Sequence, residues 1–204
     1  MFGGWGHGAM ANYIVLPASK ITKKPSALNM AEAAAFATAY TTAYVSLIRR
    51  GEMKPDDVVL IHGSSGGVGM AAVQLAKMFG NRVIATGTSD EKLQIVKLWG
   101  ADHVLNTLKD GITAFREEVK DLTDGKGADV IYDPVGGDVF DESIRCINWN
   151  GRLLIVGFTS GRLPSLPVNI ALIKGFSVIG VRAGEYGIRD PEKGAETKKI
   201  IHEL

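Results

Sequence analysis

Short apolar runs alternate with amphipathic segments from residue 58 onward. Residues 58–62 form an apolar run without polar alternation, which is typical of a strand buried on both faces. Residues 67–79 then carry apolar side chains at helical spacing and end at Gly80. The alternation repeats along the chain. It predicts strands at 58–62, 82–85, 103–105, 128–132, 152–156 and 176–181, and helices at 67–79, 90–98, 112–122 and 139–147.

The residues before this alternation have a different pattern. Residues 11–16 predict a strand, and the following prolines interrupt regular structure. Asn29 and Glu32 have the spacing of a capping box and predict a helix to residue 37. A second helix is predicted from residue 41 or 42 to Arg50, and a last one begins near Pro191.

Strands and helices in this alternation predict an α/β fold. Parallel strands need long crossovers, and helical crossovers cover both faces of the sheet. We therefore expect a doubly wound, parallel Rossmann sheet of about six strands with helices on both faces.

Composition and charge exclude several classes of protein. The 204 residues carry a net charge of +1, which indicates neither nucleic acid nor an anionic membrane as a partner. No apolar run approaches the ~18 residues that span a bilayer. The single cysteine, Cys146, excludes an internal disulfide and a four-cysteine zinc site, and its helical surroundings predict a buried thiol. A free cysteine without a secretory leader favours the cytoplasm.

A glycine-rich turn joins the first of these strands to its helix. Gly63 would allow the tight turn, Gly66 would let the backbone approach a pyrophosphate, and Gly69 would let helix and strand pack closely. Gly67 leaves no side chain in the way, and the helix N-terminus offers free amides and a positive dipole end. The other interpretation is a glycine turn with no ligand. No Lys-Ser/Thr pair follows Gly69, so the turn is not a P-loop.

The end of the second strand distinguishes between cofactors. An NAD site usually has an acidic residue there for the ribose hydroxyls, and residues 84–89 contain none. Asp90 is better explained as the N-cap of the next helix. Thr88 and Ser89 can donate to a 2′-phosphate and Lys92 adds positive charge, which favours NADPH over NADH. Lys92 could instead be an ordinary solvated residue.

The histidines do not form a metal-ligand set with Cys146 or with acidic residues, so no metal is predicted. His62 ends a strand and is expected to be buried and hydrogen-bonded. His7 is interpreted as a loop residue. Tyr40 and Tyr44 are interpreted first as core residues, with a place beside the substrate as the alternative.

Several motifs together resemble those of the zinc-free medium-chain dehydrogenases/reductases, in particular the NADPH:quinone oxidoreductases of the zeta-crystallin type. The motifs are AAA at 33–35, TTAY at 41–44, HGSSGGVG at 62–69, QLAK at 74–77, GAD at 100–102 and YDPVGG at 132–137. The similarity extends from about residue 8 to residue 183.

The resemblance implies a subunit with a GroES-like substrate barrel and a Rossmann cofactor domain. It implies that residues 1–27 are a remnant of the barrel, residues 28–190 the Rossmann domain, and residues 191–204 the start of a truncated C-terminal segment. On this basis the chain resembles a fragment of the full enzyme, cut at both ends.

The resemblance also assigns individual residues. It implies contacts with the nicotinamide from Thr42, Gly157 and Phe158, with the pyrophosphate from Ser65, Gly66, Gly67 and Val68, with the 2′-phosphate from Thr88 and Lys92, and with the cofactor from Arg182. Two departures stand out. Asn106 and Thr107 replace a frequent tyrosine, which counts against NADPH, and Pro134 replaces a frequent serine.

The expected function is therefore NADPH-dependent hydride transfer to a quinone or a conjugated carbonyl, without zinc. An enoyl-thioester reductase shares these motifs and stays open. A non-catalytic nucleotide-binding module is the alternative from another class, because the substrate barrel would be mostly absent. The resemblance and the apolar edge at 178–181 predict a homodimer through the sixth strand.

Overall fold

The computed structural model describes residues 10–109 and 111–204, and in this part of the chain six parallel strands form one sheet. The strands are β1 (Val58–Ile61), β2 (Arg82–Gly87), β3 (His103–Asn106), β4 (Ala128–Asp133), β5 (Ile147–Ile155) and β6 (Ser177–Gly180). Their order is β3-β2-β1-β4-β5-β6. This is the doubly wound order of a Rossmann domain, so the predicted fold class is confirmed.

Helices cover both faces of the sheet. They are α1 (Met30–Tyr44), α2 (Gly67–Met78), α3 (Asp90–Leu98), α4 (Ala114–Leu122), α5 (Gly137–Cys146), α6 (Val168–Lys174), α7 (Ala183–Arg189) and α8 (Pro191–Glu203). Successive strand residues point to opposite faces. Val59 and Ile61 therefore join a core layer with α1, α2 and α8, while Leu60 joins a second layer with α4 and α5.

Helix α1 begins where the sequence predicts but does not stop where expected. The Asn29 side chain accepts from the Glu32 amide at 2.9 Å, and the Glu32 carboxylate accepts from the Asn29 amide at 2.8 Å, so the capping box is confirmed. The two predicted helices are one, because α1 continues directly into a wider π-helical turn at Val45–Arg50. Residues 38–40 contain neither glycine nor proline, so nothing interrupts the helix.

The strand predicted at residues 11–16 is wrong. These residues lie outside regular structure, followed by a short 3₁₀ turn at Ala18–Lys20. Tyr13 and Val15 are 93% and 98% exposed. A strand is stable only when a neighbour satisfies its backbone groups, and no strand in the described chain pairs with this segment.

Three helices in the C-terminal half of the chain, α5, α6 and α7, differ from the prediction. Helix α5 begins at Gly137 and gives way to β5 at Ile147, inside the predicted helix. Helices α6 and α7 were not predicted from the sequence; each has only seven residues, and neither has a buried residue. Helix α8 begins at Pro191, as predicted. Within the described ranges, no helix combines the length and apolarity required to cross a bilayer.

Candidate dinucleotide-binding site

The glycine turn lies at the switch point of the sheet, where the order of successive strands reverses. Strand β1 pairs with β2 on one side and with β4 on the other, and the chain leaves toward opposite edges from there. In doubly wound sheets, a crevice opens at this point beyond the carboxyl ends of the strands. The turn between β1 and α2 is at this edge, together with the loops that follow β2, β4 and β5.

The first turn of α2 offers unpaired amide donors. Gly63 has φ +56°, and its carbonyl accepts from the Gly66 amide at 3.0 Å. Gly66 is the N-cap, and no side chain caps the helix. The amides of Gly67, Val68 and Gly69 have no intrahelical acceptor, because they belong to the first turn. Since Gly66 and Gly67 are exposed, this end of the helix can accept an anion.

Two glycines of the turn have opposite surroundings. A Cβ on Gly69 would lie 2.3 Å from the Gly63 carbonyl oxygen and 2.8 Å from the Ser64 Cα. Helix and strand therefore approach each other too closely for any side chain at position 69. A Cβ on Gly67 would meet no protein atom within 4 Å, since this position opens to solvent.

Ser64 fastens the turn to the neighbouring strand. Its amide and its hydroxyl both donate to the Thr86 carbonyl, at 3.0 and 2.8 Å. Ser64 is fully buried, whereas its neighbour Ser65 is exposed. The sequence prediction selected Ser65 for the site and did not give Ser64 a role. Only the pairing of β1 with β2, a tertiary contact, reveals the role of Ser64.

His62 lies behind the turn and links three elements. Its Nδ1 and Nε2 are each 2.8 Å from a hydroxyl, Thr86 on β2 and Ser143 on α5. Ser143 donates its own proton to the Val139 carbonyl, so it accepts from Nε2–H, and Thr86 donates to Nδ1. The ring also packs edge-on against Phe115. Complete burial lowers the pKa of His62 to about 3, and the predicted buried, hydrogen-bonded histidine is confirmed.

The loop after β2 brings the predicted 2′-phosphate residues together. Ser89, not Asp90, is the N-cap of α3: its backbone is extended, and its hydroxyl accepts from the Lys92 amide at 3.4 Å. The Ser89 hydroxyl proton remains free to donate. Thr88 and Lys92 are exposed beside it. The predicted cap is wrong because Asp90 is already helical and its carboxylate accepts from Asn106 at 2.7 Å.

The loops after β4 and β5 are joined through the main chain. The Asp133 carbonyl accepts from the amides of Val156 at 2.9 Å and Gly157 at 3.4 Å. A Cβ on Gly157 would lie 3.1 Å from the Pro134 carbonyl oxygen. Phe158 is 45% exposed and lies against Gly136. This places the predicted pair Gly157 and Phe158 at the edge of the crevice.

Asp133 holds this second half of the crevice from inside. Its Oδ1 accepts from the amides of Val135 at 2.8 Å and Gly136 at 2.9 Å. The residue is fully buried, and burial raises the pKa of its carboxyl group. Sequence reasoning gave it no role, although an acidic residue at the end of an apolar strand is a usable signal.

Thr42 and Arg182 are placed less directly. Thr42 lies in the last turn of α1, where its carbonyl accepts from the Ser46 hydroxyl at 2.6 Å. Arg182 is the exposed residue before α7. No hydrogen bond in the described chain joins either side chain to the glycine turn. Their cofactor contacts therefore stay predictions.

The described ranges contain neither a metal site nor an exposed cysteine. They contain no group of three His, Cys, Asp or Glu side chains able to hold a metal ion. Cys146 is 1% exposed, so the predicted buried thiol is confirmed, and burial raises the pKa of this thiol to about 12. Tyr44 is buried in the core, whereas Tyr40 is half-buried and donates to Gln74. His7 lies outside the described residues.

Comparison with known proteins identifies the family. The family model described as zinc-binding dehydrogenase matches residues 67–197. The chain belongs to the zinc-binding dehydrogenase family. The relatives also place the chain in the medium-chain dehydrogenase/reductase superfamily. Within this superfamily it is a cofactor-binding domain of the quinone oxidoreductase branch.

The similar proteins extend well beyond the matched region. A quinone oxidoreductase-like protein 2 homolog of Nematostella vectensis is 41% identical over 91% of this chain and 50% of its own length. A mycobacterial protein solved with NADPH has a TM-score of 0.83 and 30% identity, over 92% of this chain and 57% of that one. The chain thus spans about half the length of these relatives.

Solved structures of isolated domains are also similar to this chain. The nucleotide-binding subdomain of the enoylreductase domain of PpsC from Mycobacterium tuberculosis has a TM-score of 0.72 and 31% identity. The match covers 81% of this chain and 91% of that one.

The two glycines of the turn give a matched stability test. Gly69→Ala should lower the free energy of unfolding by at least about 2 kcal/mol, because backbone atoms block the methyl group. Gly67→Ala should stay within about 0.5 kcal/mol of the parent, because its methyl group meets only solvent. Urea denaturation measures both variants. Equal destabilisation of the two would contradict the packing described for Gly69.

Histidine burial predicts a pH dependence. His62 stays neutral in the folded domain and can gain a proton on unfolding, so the unfolded state binds more protons between about pH 3 and 6.5. His62 should therefore contribute a stability loss of about 1.4 kcal/mol per pH unit as the pH falls through this window. Urea midpoints at several pH values should show a shallower dependence in His62→Gln. An unchanged His62→Gln profile would refute the assignment.

Proposed function

We propose that this domain binds a nicotinamide dinucleotide, NADPH in preference to NADH, and presents it for hydride transfer to a quinone or another conjugated carbonyl. The observation that carries the proposal is the uncapped first turn of α2 at the switch point of the sheet. Its free amides, the exposed Gly66 and the open space beyond Gly67 fit a pyrophosphate.

Each predicted residue then has a role. The pyrophosphate is assigned to Gly63, Ser65, Gly66, Gly67, Val68 and Gly69, the 2′-phosphate to Thr88, Ser89 and Lys92, and the nicotinamide to Thr42, Gly157 and Phe158. Arg182 is assigned a further contact with the cofactor. The preference for NADPH is supported by the free hydroxyl proton of Ser89 and by the positive charge of Lys92. The mycobacterial neighbour solved with NADPH supports the same class of cofactor.

When bound, NADPH supplies a hydride from its nicotinamide ring. The contribution of the protein is to bind and orient. The amides of the α2 turn would hold the dinucleotide at its centre, and the loops after β4 and β5 would form the surface against which the reactive ring lies. These loops are fixed by Asp133, whose carbonyl and carboxylate together accept four amides. A fixed surface limits the geometries that the ring can adopt.

The acceptor class separates two enzymatic candidates. The quinone oxidoreductase-like relatives support a quinone or a conjugated carbonyl. The similarity to an enoylreductase subdomain supports an enoyl-thioester instead. Consumption of NADPH with a panel of quinones, enones and enoyl-thioesters distinguishes the two. Saturable binding without any turnover would instead support a non-catalytic nucleotide-binding module.

Cofactor binding can be tested directly. Titration with NADPH, followed by nicotinamide fluorescence, should saturate, and NADH should bind more weakly. Gly67→Ala should weaken NADPH binding by about tenfold, because its methyl group occupies the space assigned to the pyrophosphate. Urea denaturation of the same variant is the control, since it distinguishes a loss of affinity from a loss of folded protein. Absence of saturable binding at high micromolar NADPH would refute the proposal.

The exposed side of β6 supports a homodimer. Among the described residues, strand β6 pairs with β5 on one side only and ends the sheet. Beside it in the chain, α6 buries no residue, and Val168 and Leu172 are 78% and 81% exposed. Unpaired edges with apolar surroundings favour association. We propose that two copies join through their β6 strands, which a twofold axis would make antiparallel.

Light scattering after size exclusion tests this assembly. The parent should have the mass of a dimer, and Val178→Lys should shift the mass toward the monomer, because a charge in the new strand pair opposes pairing. Leu98→Lys changes an exposed leucine at the β3 end of the sheet and should leave the mass unchanged. A monomeric parent would contradict the proposal.

A further inference from the structure

Three polar side chains meet beyond the carboxyl ends of β2 and β3. The Asn106 side-chain amide donates to Asp90 Oδ1 at 2.7 Å. The Lys109 Nζ lies 3.6 Å from Asp90 Oδ2. Both carboxylate oxygens of Asp90 are therefore engaged, one by an amide and one by a cation. We call these three residues the Asp90 clamp.

The clamp rests on a fixed loop. The Asn106 Oδ1 accepts from the amides of Leu108 at 3.0 Å and Lys109 at 3.2 Å. Thr107 donates its amide at 2.9 Å and its hydroxyl at 3.2 Å to the Gly87 carbonyl on β2. Asn106 thus binds Asp90 through one side-chain atom and folds the Lys109 loop through the other. The positions of Asn106 and Lys109 relative to β2 follow from these bonds.

The position of the clamp relative to the proposed cofactor follows from the sheet order. Strand β2 lies between β1 and β3. The adenosine half of a dinucleotide extends from the glycine turn toward the end of β2. Asp90 comes directly after Thr88 and Ser89, and Lys109 reaches the same place from the β3 side.

The charge of Asp90 matters at this position. A carboxylate near the adenosine ribose can accept bonds from its two hydroxyls, which favours NADH. The same charge repels a 2′-phosphate. The Asn106 hydrogen bond lowers the pKa of Asp90, so this residue is charged at neutral pH. Its charge must be held or balanced if a phosphate is to bind beside it.

We propose that Asn106 and Lys109 restrain and neutralise Asp90, and that this clamp sets the preference of the domain for a 2′-phosphorylated dinucleotide. The proposal rests on the proposed cofactor function and adds three residues to it. Lys109 joins Lys92 as a second cation on this side of the site. Asp90 becomes the residue that opposes NADPH when the clamp is removed.

Substitutions at two adjacent acids test the proposal with a matched control. Asp90→Asn should lower the Kd of NADPH by about fivefold, the effect of one unit charge a few ångström away in water. Its effect on NADH should be the opposite or none. Glu91→Gln removes the same charge from the next residue of the helix, and no hydrogen bond or ion pair in the described chain involves its side chain. Its effect should be at most about twofold.

Lys109→Gln tests the restraint itself. Alone, it should raise the Kd of NADPH by about fivefold and leave the Kd of NADH unchanged or lower. In an Asp90→Asn background the same change should have a smaller effect, because no carboxylate remains to be released toward the phosphate. An equal effect in both backgrounds would overturn the clamp, since it would show that Lys109 acts on the phosphate alone.

Fluorescence titrations of the parent and each variant with both nucleotides give all the constants. If the parent binds neither nucleotide, the proposed function fails and this inference fails with it. If the parent binds both, and Asp90→Asn changes the ratio of the two constants no more than Glu91→Gln does, only the clamp is overturned. A larger change from Asp90→Asn, combined with the dependence of Lys109 on Asp90, supports it.

Discussion

The close approach of α2 to the turn after β1 is the contact on which the rest of the site depends. At Gly69 the helix lies so near the Gly63 carbonyl that no side chain fits between them. This contact holds the helix N-terminus against the end of β1, which pairs with both β2 and β4. The free amides of the helix consequently lie at the switch point, where the two halves of the sheet part. Any side chain at position 69 would move the amide donors of the helix away from the crevice.

A buried polar network keeps that arrangement in place. Thr86 on β2 takes part twice: its hydroxyl binds His62 and its carbonyl accepts from Ser64. Ser143 brings α5 into the same network through the other histidine nitrogen. Because both ring nitrogens of His62 have hydrogen-bond partners, the network can fix the strands and α5 relative to one another at no cost from an unsatisfied buried group. Buried side chains thus hold the inner side of the turn, and main-chain amides form its exposed side.

The sequence predicts those parts of the site that depend on local geometry. The spacing of Gly63, Gly66 and Gly69 and the burial of His62 follow from a strand, a turn and a helix in direct succession, and the parallel sheet follows from their repetition. The roles of Ser64 and Asn106 depend on contacts between strands that are distant in sequence, so no local pattern reveals them. Residues 11–16 have the composition of a strand but lack a partner in the described chain, a condition that composition does not record.

Side chains line one side of the crevice, and main-chain groups line most of the other. Beyond β2 and β3, the polar side chains of Ser89 and Asn106 bind the loop ends, the first capping α3 and the second accepting from the amides of Leu108 and Lys109. Beyond β4 and β5, amides bound to Asp133 determine the shape, and Phe158 contributes an apolar ring. Main-chain surfaces of this kind can orient a flat ring but distinguish poorly between similar ligands, whereas charged side chains distinguish strongly between a phosphate and a hydroxyl. In the proposed mode of binding, discrimination between nucleotides would therefore depend on the adenosine side, where Asp90 pairs with Lys109.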